Sequence, residues 1–393
     1  MTDVRQAGRP TVGGEFGIVL VGGGLQSGLL ALGVLARNSG VRLAVVEAAD
    51  KLGGNHTWCL NPTDVPPSAM RWLAPLIAHE WPGYDVRFPR FTRTLGAPYA
   101  AITSERFAHV VSAAVAIAPG SACFLGRLAT LIEPHAVSLD DGTRLSAELV
   151  IDARGPSSEG PQRQSGFQKF VGLELEFDRD HRVERPVMMD ATVPQRDGFR
   201  FFYLLPFGPR RLLVEDTYFS KSPVLDAPAV RREVIAYAEQ FGLATAIVRE
   251  EAGVLPMPWK STPEPPAASP LAGGYRGGWF HPATGYSLVA ATRLASYVAG
   301  RTPASVFGPG LDRLYRTHRS QVRYAELLNM MLFNCFEPDD MRSAFERFFT
   351  LPAGLIQRFF ALSMTWTDRA RIVAGLPPRG FSISAALAMA RSP

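Results

Sequence analysis

The chain has 393 residues, 47% hydrophobic and 20% charged, which excludes global disorder and provides apolar surface for more than one domain. Its net charge of +5 is mild, and no basic block accompanies a nucleic-acid-binding motif, which argues against nucleic acid as a partner. Cys59, Cys123 and Cys335 are widely spaced and the seven histidines show no metal-ligand spacing, so neither a disulfide framework nor a metal site is expected, and the thiols read as those of a cytoplasmic protein.

The N-terminal stretch "MTDVRQAGRPTVGGEFG" has no secretory apolar core. It is followed by "GIVLVGGGLQSGLLALGVLA", residues 17–36, an uncharged run long enough to cross a bilayer. Three consecutive glycines after only four apolar residues break the helix that a span needs, so this run reads as strand, tight turn and helix. Ile18 to Val21 form the strand, Gly22 to Gly24 the turn, Leu25 to Arg37 the helix and Arg42 to Val46 a second strand with Glu47 at its carboxyl end. This is a dinucleotide-binding unit in chemical terms. Gly22 permits the turn, Gly24 lets a pyrophosphate approach the backbone, and the helix N-terminus offers N–H groups to phosphate. Glu47 stands 23 residues beyond Gly24, where an acid accepts hydrogen bonds from ribose hydroxyls. The third glycine of the G-x-G-x-x-G spacing is replaced by Ser27, with Gly28 one place later, and serine is still small enough for close packing.

Further glycine turns follow. "KLGGNHTW" (51–58) brings Gly54 close behind the ribose acid, and "LSAELVIDARGP" (145–156) is an apolar strand ending in Asp152, Arg154 and Gly155. "GGWFHPATGYSL", near residue 280, places Pro282 and Gly285 at a turn into the helical "LVAATRLASYVAG". Separated glycine turns returning to one ligand favour FAD over NAD(H).

Between these segments, "FQKFVGLELEF" alternates, with Val171, Leu173 and Leu175 facing one way and Gly172, Glu174 and Glu176 the other. "VMMDATV", "FRFFYLLPF" and "RRLLVEDTYF" read as further strands, the last two joined at "GPR". Phe199, Phe201, Phe202, Tyr203 and Phe207 line its faces, either as ordinary core or as a wall around an apolar substrate. Glu215 and Asp216 stand among them, either as a proton source with a pKa raised by burial or as salt-bridge partners of Arg210 or Arg211. Residues 312–393 are helical in pattern, with Phe348, Phe349, Phe359 and Phe360 interleaved with Arg347, Arg358, Arg369 and Arg371. This fits either a helical cap or a bilayer-surface element.

The expected fold is α/β: a Rossmann-like FAD-binding domain, an antiparallel-sheet substrate domain and a helical C-terminal cap. The expected division is 16–80 for the FAD-binding βαβ part, 81–164 for a segment returning to it, 165–260 for the substrate sheet, 261–311 for a third FAD-binding segment and 312–393 for the helical region.

The motifs "VGGGLQSGLLAL", "GGNHTW", "DARGP", "QKFVGLELE", "MMDATV", "RLLVEDTYF", "FHPATGYSL" and "LNMMLF" carry a resemblance to the bacterial lycopene beta-cyclases over about residues 16–390. That resemblance implies a redox-neutral cyclisation of lycopene and related carotenoids that nonetheless requires reduced FAD, with NADPH as the electron source. It implies Glu215 as the acid–base residue with Asp216 positioning it or binding nearby backbone, and a substrate pocket that includes Phe201, Tyr203 and His281. Gly22, Gly24, Gly28, Glu47, Gly54, Asp152, Gly155, Pro282 and Gly285 are the expected cofactor contacts. Peripheral attachment to the cytoplasmic side of the inner membrane is the expected location. The competing expectations are a flavin-dependent hydroxylase or prenyl-chain reductase, and a non-catalytic carotenoid-binding protein.

Overall fold

The computed structural model describes residues 12–155, 164–260 and 268–391, so Pro156 of "DARGP" and most of the N-terminal stretch lie outside the described residues. The βαβ unit comprises β1 (Val12–Val21), α1 (Leu25–Arg37) and β2 (Leu43–Glu47). Next come β3 (Thr57–Leu60), α2 (Pro67–Leu73), β4 (His79–Trp81), β5 (Tyr84–Phe88), β6 (Phe91–Leu95) and β7 (Tyr99–Thr103). Then α3 (Ser104–Ile117), β8 (Ala122–Leu125), β9 (Ala129–Glu133), β10 (Ala136–Leu139) and β11 (Arg144–Asp152) complete the first part of the chain.

The first sheet runs β8-β2-β1-β11-β10-β9, with a short strand β17 (Leu271–Ala272) added on β11. The first strand starts earlier than the expected Ile18 because β11 is long enough to pair with it from Val12 onward. Alternation along β1 sends Ile18 and Leu20 into the layer containing α1 and α3, and Val19 and Val21 into the layer on the other face. Both faces are covered, so the strand reads as a continuous apolar run. α1 packs against α5 (Leu288–Ala299), α3 and α2 and shares one apolar core with the inner face of the sheet, which accounts for the uncharged stretch without a membrane span. Among the described residues, no helix is long and apolar enough to cross a membrane.

The second sheet contains β12 (Ser165–Phe177), β13 (Val187–Asp190), β14 (Phe199–Pro206), β15 (Arg211–Ser220) and, after α4 (Ala227–Ala238), β16 (Ala244–Pro258). Its order is β16-β12-β15-β14-β13-β5-β6, so β5 and β6 belong to it; β7 forms a small separate sheet with β3 and β4, and β8 to β11 lie in the nucleotide sheet. The sequence basis is the alternation in "YDVRF", which buries Tyr84, Val86 and Phe88 on one side. One face of the second sheet packs on α4 through Leu173, Leu175, Phe202, Leu204, Leu212 and Val214. The other, bearing Phe199, Phe201, Leu205, Leu213 and Phe219, meets the C-terminal helices. These are α6 (Pro309–Cys335), α7 (Met341–Phe348), α8 (Ala353–Phe360), α9 (Trp366–Val373) and α10 (Ile383–Arg391). Phe345 of α7 lies flat on Phe199, ring centroids 4.0 Å apart, and seats the cap on the sheet.

Candidate active site

A single cavity of about 830 Å³ touches the glycine turn of the first sheet, the aromatic face of the second and the C-terminal cap. At the nucleotide end the glycines differ in their work. Gly22 has φ +96°, and a Cβ there would lie 2.9 Å from the Ala153 carbonyl oxygen, so it makes the turn. A Cβ on Gly24 would meet nothing within 4 Å, because that position faces the cavity at the start of α1. Gly28, expected at the cofactor, instead packs on α3: a Cβ there would lie 2.1 Å from the Phe107 ring. It is absent from the cavity wall and sets the distance between two helices.

Glu47 and Gly54 line the cavity, and the Glu47 carboxylate accepts hydrogen bonds from the Gly23 and Ala49 amides. Asp152 does not reach it. Its carboxylate is occupied by Arg154, at 2.9 and 2.8 Å, while Ala153, Arg154 and Gly155 form the wall. Gly285 lines the cavity with φ +68°; Pro282 lies behind it, its carbonyl accepting from Asn329 Nδ2 at 2.8 Å. These positions fit a dinucleotide: an open glycine at a helix N-terminus, an acid at the end of β2 and a second glycine turn. Gln168 Oε1, Asn329 Oδ1 and the Tyr286 hydroxyl are buried polar atoms of residues on this wall that have no protein hydrogen-bond partner. A ligand with polar ring edges satisfies such groups better than hydrocarbon does.

At the other end, period-2 alternation decides everything. Glu215, Thr217 and Phe219 share one face of β15, paired with Tyr203, Phe201 and Phe199 of β14. Glu215 is buried on the cavity wall and accepts a 2.6 Å hydrogen bond from the Thr217 hydroxyl. Burial, followed by the nearby Glu251 carboxylate, pushes its pKa up to about 8. Phe201 and Tyr203 also line the cavity; the Tyr203 hydroxyl donates to Cys59 Sγ at 2.9 Å and lies 2.8 Å from that of Tyr99. Burial pushes the Cys59 thiol up to about 12, so it is not a nucleophile.

Asp216 points the other way. It is fully buried beneath α4 and takes Arg200 in a two-pronged pair, at 2.9 and 2.7 Å, with the Tyr218 hydroxyl at 2.9 Å. The sequence places both acids at one site; the pleat separates them. The arginine is Arg200, not Arg210 or Arg211, because Arg200 and Asp216 lie on the same face of neighbouring strands. Asp216→Ala is therefore expected to cost about 3–5 kcal/mol of stability by leaving the Arg200 charge under-compensated, read as a lower midpoint in denaturant.

His281 is likewise outside the cavity. It is completely buried, accepts from the Ala283 amide at Nδ1 (3.1 Å) and therefore donates from Nε2 to the Phe359 carbonyl (3.0 Å). Burial lowers its pKa to about 3, so it is a neutral pin between the "FHPATGYS" turn and α8 rather than a substrate contact.

The sequence reading missed a group directly behind Glu215. Across the sheet, Glu215 of β15 pairs with Gly172 of β12, which pairs in turn with Glu251 of β16. Glu251 Oε2 receives Arg249 Nη1 at 2.8 Å, and Arg249 also reaches Glu174 (3.1 Å) and the Thr57 hydroxyl (2.6 Å). The "GGNHTW" motif thus serves two sites: Gly54 faces the cavity, and Asn55 and Thr57 hold Arg249. The available signal was Gly172 itself, a glycine inside an apolar strand, which marks a close approach.

The architecture is that of FAD-dependent flavoproteins. Similar solved structures include a geranylgeranyl bacteriochlorophyll reductase-like protein from Thermoplasma acidophilum (TM-score 0.64, 14% identity, 92% of this chain and 96% of that one). A probable FAD-dependent monooxygenase from Pseudomonas aeruginosa has a TM-score of 0.58 at 14% identity, covering 84% of this chain and 98% of that one. The chain belongs to the lycopene cyclase family: the family described as "Lycopene cyclase protein" matches residues 17–386. It is 37% identical to the lycopene beta-cyclase of Pantoea ananas over 93% of this chain and 95% of that protein. It is 39% identical to the lycopene beta-cyclase of Paracoccus sp. (strain N81106 / MBIC 01143) over 92% and 94%.

Proposed function

We propose that this chain closes the ends of lycopene to β-ionone rings, through gamma-carotene to beta-carotene, without net redox change. The observation that carries the reading is a buried Glu215, its pKa raised by burial and by Glu251, at the aromatic end of a cavity that also contains the nucleotide turn. Glu215 gives its proton to a terminal double bond, leaving a tertiary carbocation. A neighbouring double bond attacks that centre and closes the ring. The ring cation then gives up one proton to the carboxylate that Glu215 has become, which restores the acid and leaves the hydrogen count unchanged. Phe201, Tyr203 and Phe219 turn electron-rich surfaces toward the cation and keep out water, which would trap it as an alcohol. Gly24 and the start of α1 hold the pyrophosphate of FAD, Glu47 its ribose, and the Gly285 turn its ring end. When bound and reduced by NADPH, the flavin supplies negative charge beside the developing cation.

The test is anaerobic incubation with lycopene in liposomes made with deuterated water, comparing reduced, oxidised and absent FAD. A cyclic product carrying solvent deuterium, seen only with reduced FAD, supports the reading. A hydrogen-enriched or oxygenated product replaces it with a reductase or hydroxylase.

The same reading includes attachment to the cytoplasmic face of the inner membrane. Val373, Pro377, Pro378 and Phe381 line the cavity; Leu376, next to Pro377, is 88% exposed, and Trp366, at the other end of α9 from Val373, is 80% exposed. An apolar rim at a cavity mouth suits a substrate dissolved in lipid. Of the interleaved arginines, Arg347 lines the cavity and grips the Ala374 and Leu376 carbonyls, whereas Arg358 pairs with Asp368 at 2.7 Å. The Trp366→Ser, Leu376→Ser double variant is expected to lower liposome co-sedimentation about tenfold or more, two buried side chains being worth about 1.5–3 kcal/mol each.

A further inference from the structure

We infer that Glu251 is the positioning residue that keeps Glu215 in its proton-bearing form, acting across the side-chain-free Gly172. The inference rests on Glu215 being the acid of the proposed reaction.

The two glutamates stand two strands apart on one rung, a separation of about 10 Å between backbones that an intervening side chain would ordinarily fill. Here nothing fills it. A Cβ built on Gly172 would lie 3.3 Å from Glu215 Cβ, 3.1 Å from Glu251 Cγ and 3.3 Å from Glu251 Oε1. Both acids therefore border the slot that the glycine leaves open.

A charge inventory then assigns the proton. Arg249 lies between Glu174 and Glu251, all three nearly buried, and Arg211 approaches Glu174 from the more exposed side. Two guanidinium groups thus balance two carboxylates; among the described residues, Arg249 is the cation that also acts on Glu215, and it does so less strongly than the Glu251 carboxylate. The other facing groups add none: Cys59 of β3, Tyr99 of β7 and Tyr203 of β14 are neutral. His56, beside β3, has its pKa lowered by burial and by Arg249. His79, at β4, is also lowered, chiefly by burial, and Glu105 of α3 adds only negative charge near Arg249. Asp216 is on the opposite face, committed to Arg200. Burial raises the pKa of both members of the pair, but Arg249 opposes the rise at Glu251. Glu251 takes the guanidinium and the charge, and Glu215 takes the proton.

The Glu251→Gln variant tests this, because the amide keeps the shape and removes the like charge. Glu215 then ionises more easily, and the alkaline limb of the turnover–pH profile moves about one unit to lower pH. The loss is about fivefold at pH 8, approaches tenfold at higher pH and nearly vanishes at pH 6. Infrared titration of the Glu215 carboxylic C=O band, assigned by its absence in Glu215→Gln, is expected to move by the same amount. Glu251→Asp, which restores the charge, brings the limb back toward wild type. If Glu251→Gln does not fold, Gly172→Ala carries the test: its methyl group parts the two acids, and the limb must again move acidward. A limb and a carboxyl band that stay put in the folded variant overturn the inference while leaving Glu215 as the acid. A Glu215→Gln enzyme with normal turnover overturns the underlying assignment instead.

Discussion

Glu215→Gln is expected to keep its fold and bound flavin and to lose cyclisation by about 10²–10⁴-fold, the range a positioned general acid supplies. Glutamine preserves the shape of the buried site and can still accept from the Thr217 hydroxyl, so the protein core is spared. What disappears is the one proton held at the aromatic wall. The same group sets a pH dependence in the unmodified protein. With a pKa raised to about 8, Glu215 carries its proton below that pH, and turnover falls as pH rises through it. A carboxyl with an ordinary pKa near 4.5 would instead be ionised throughout the neutral range. Product chromatography beside the flavin absorbance of the purified variant checks both halves of the expectation. Near-normal product formation would remove Glu215 from the mechanism.

Gly24→Val is expected to yield a folded protein that purifies without its yellow colour. The structure separates this glycine from its neighbours: a side chain on Gly22 strikes the Ala153 backbone and one on Gly28 strikes Phe107, whereas one on Gly24 enters open cavity. Its backbone, φ −80° and ψ −170°, is one that valine adopts readily. The isopropyl group would therefore stand where a pyrophosphate must meet the backbone, with little cost to the apoprotein. Flavin affinity is expected to fall at least about tenfold, which needs a loss of only about 1.4 kcal/mol of binding. Flavin-to-protein absorbance ratio and the melting temperature of flavin-free protein are the two readings. A fully yellow variant would show that the phosphates approach elsewhere.

The nucleotide unit was legible because its signals are local: a buried strand, a glycine turn, a helix and an acid follow one another within one βαβ stretch. The aromatic strands were legible for the same reason, through alternation. What the sequence left open was non-local. Glu215 and Asp216 are adjacent in the chain, and only the pairing of β15 with β12 and β14 shows which faces the cavity. Glu251 sits in "VREEAGV", which reads as the charged face of an edge strand, and much of β16 is indeed exposed. Its burial comes from β12, remote in sequence, while Arg249, two residues earlier on the same strand, is itself buried only through Glu174 and Thr57. Asp152, His281 and Gly28 do not line the cavity, because a motif does not say which of its residues face it and which hold the loop.

The hairpin between β14 and β15 closes through Phe207 to Arg210, with Pro209 and Arg210 exposed. An exposed turn is ordinarily where a chain tolerates insertions and deletions. Here it is also a ruler. Slipping β15 by one residue would exchange its two faces. Asp216 would then turn into the cavity while Glu215 was forced under α4, and Arg200 would lose its partner in the same movement. One backbone step thus couples the ionic cluster that supports the sheet to the acid that works on the substrate. Length change at this surface loop is as tightly constrained as substitution in the interior.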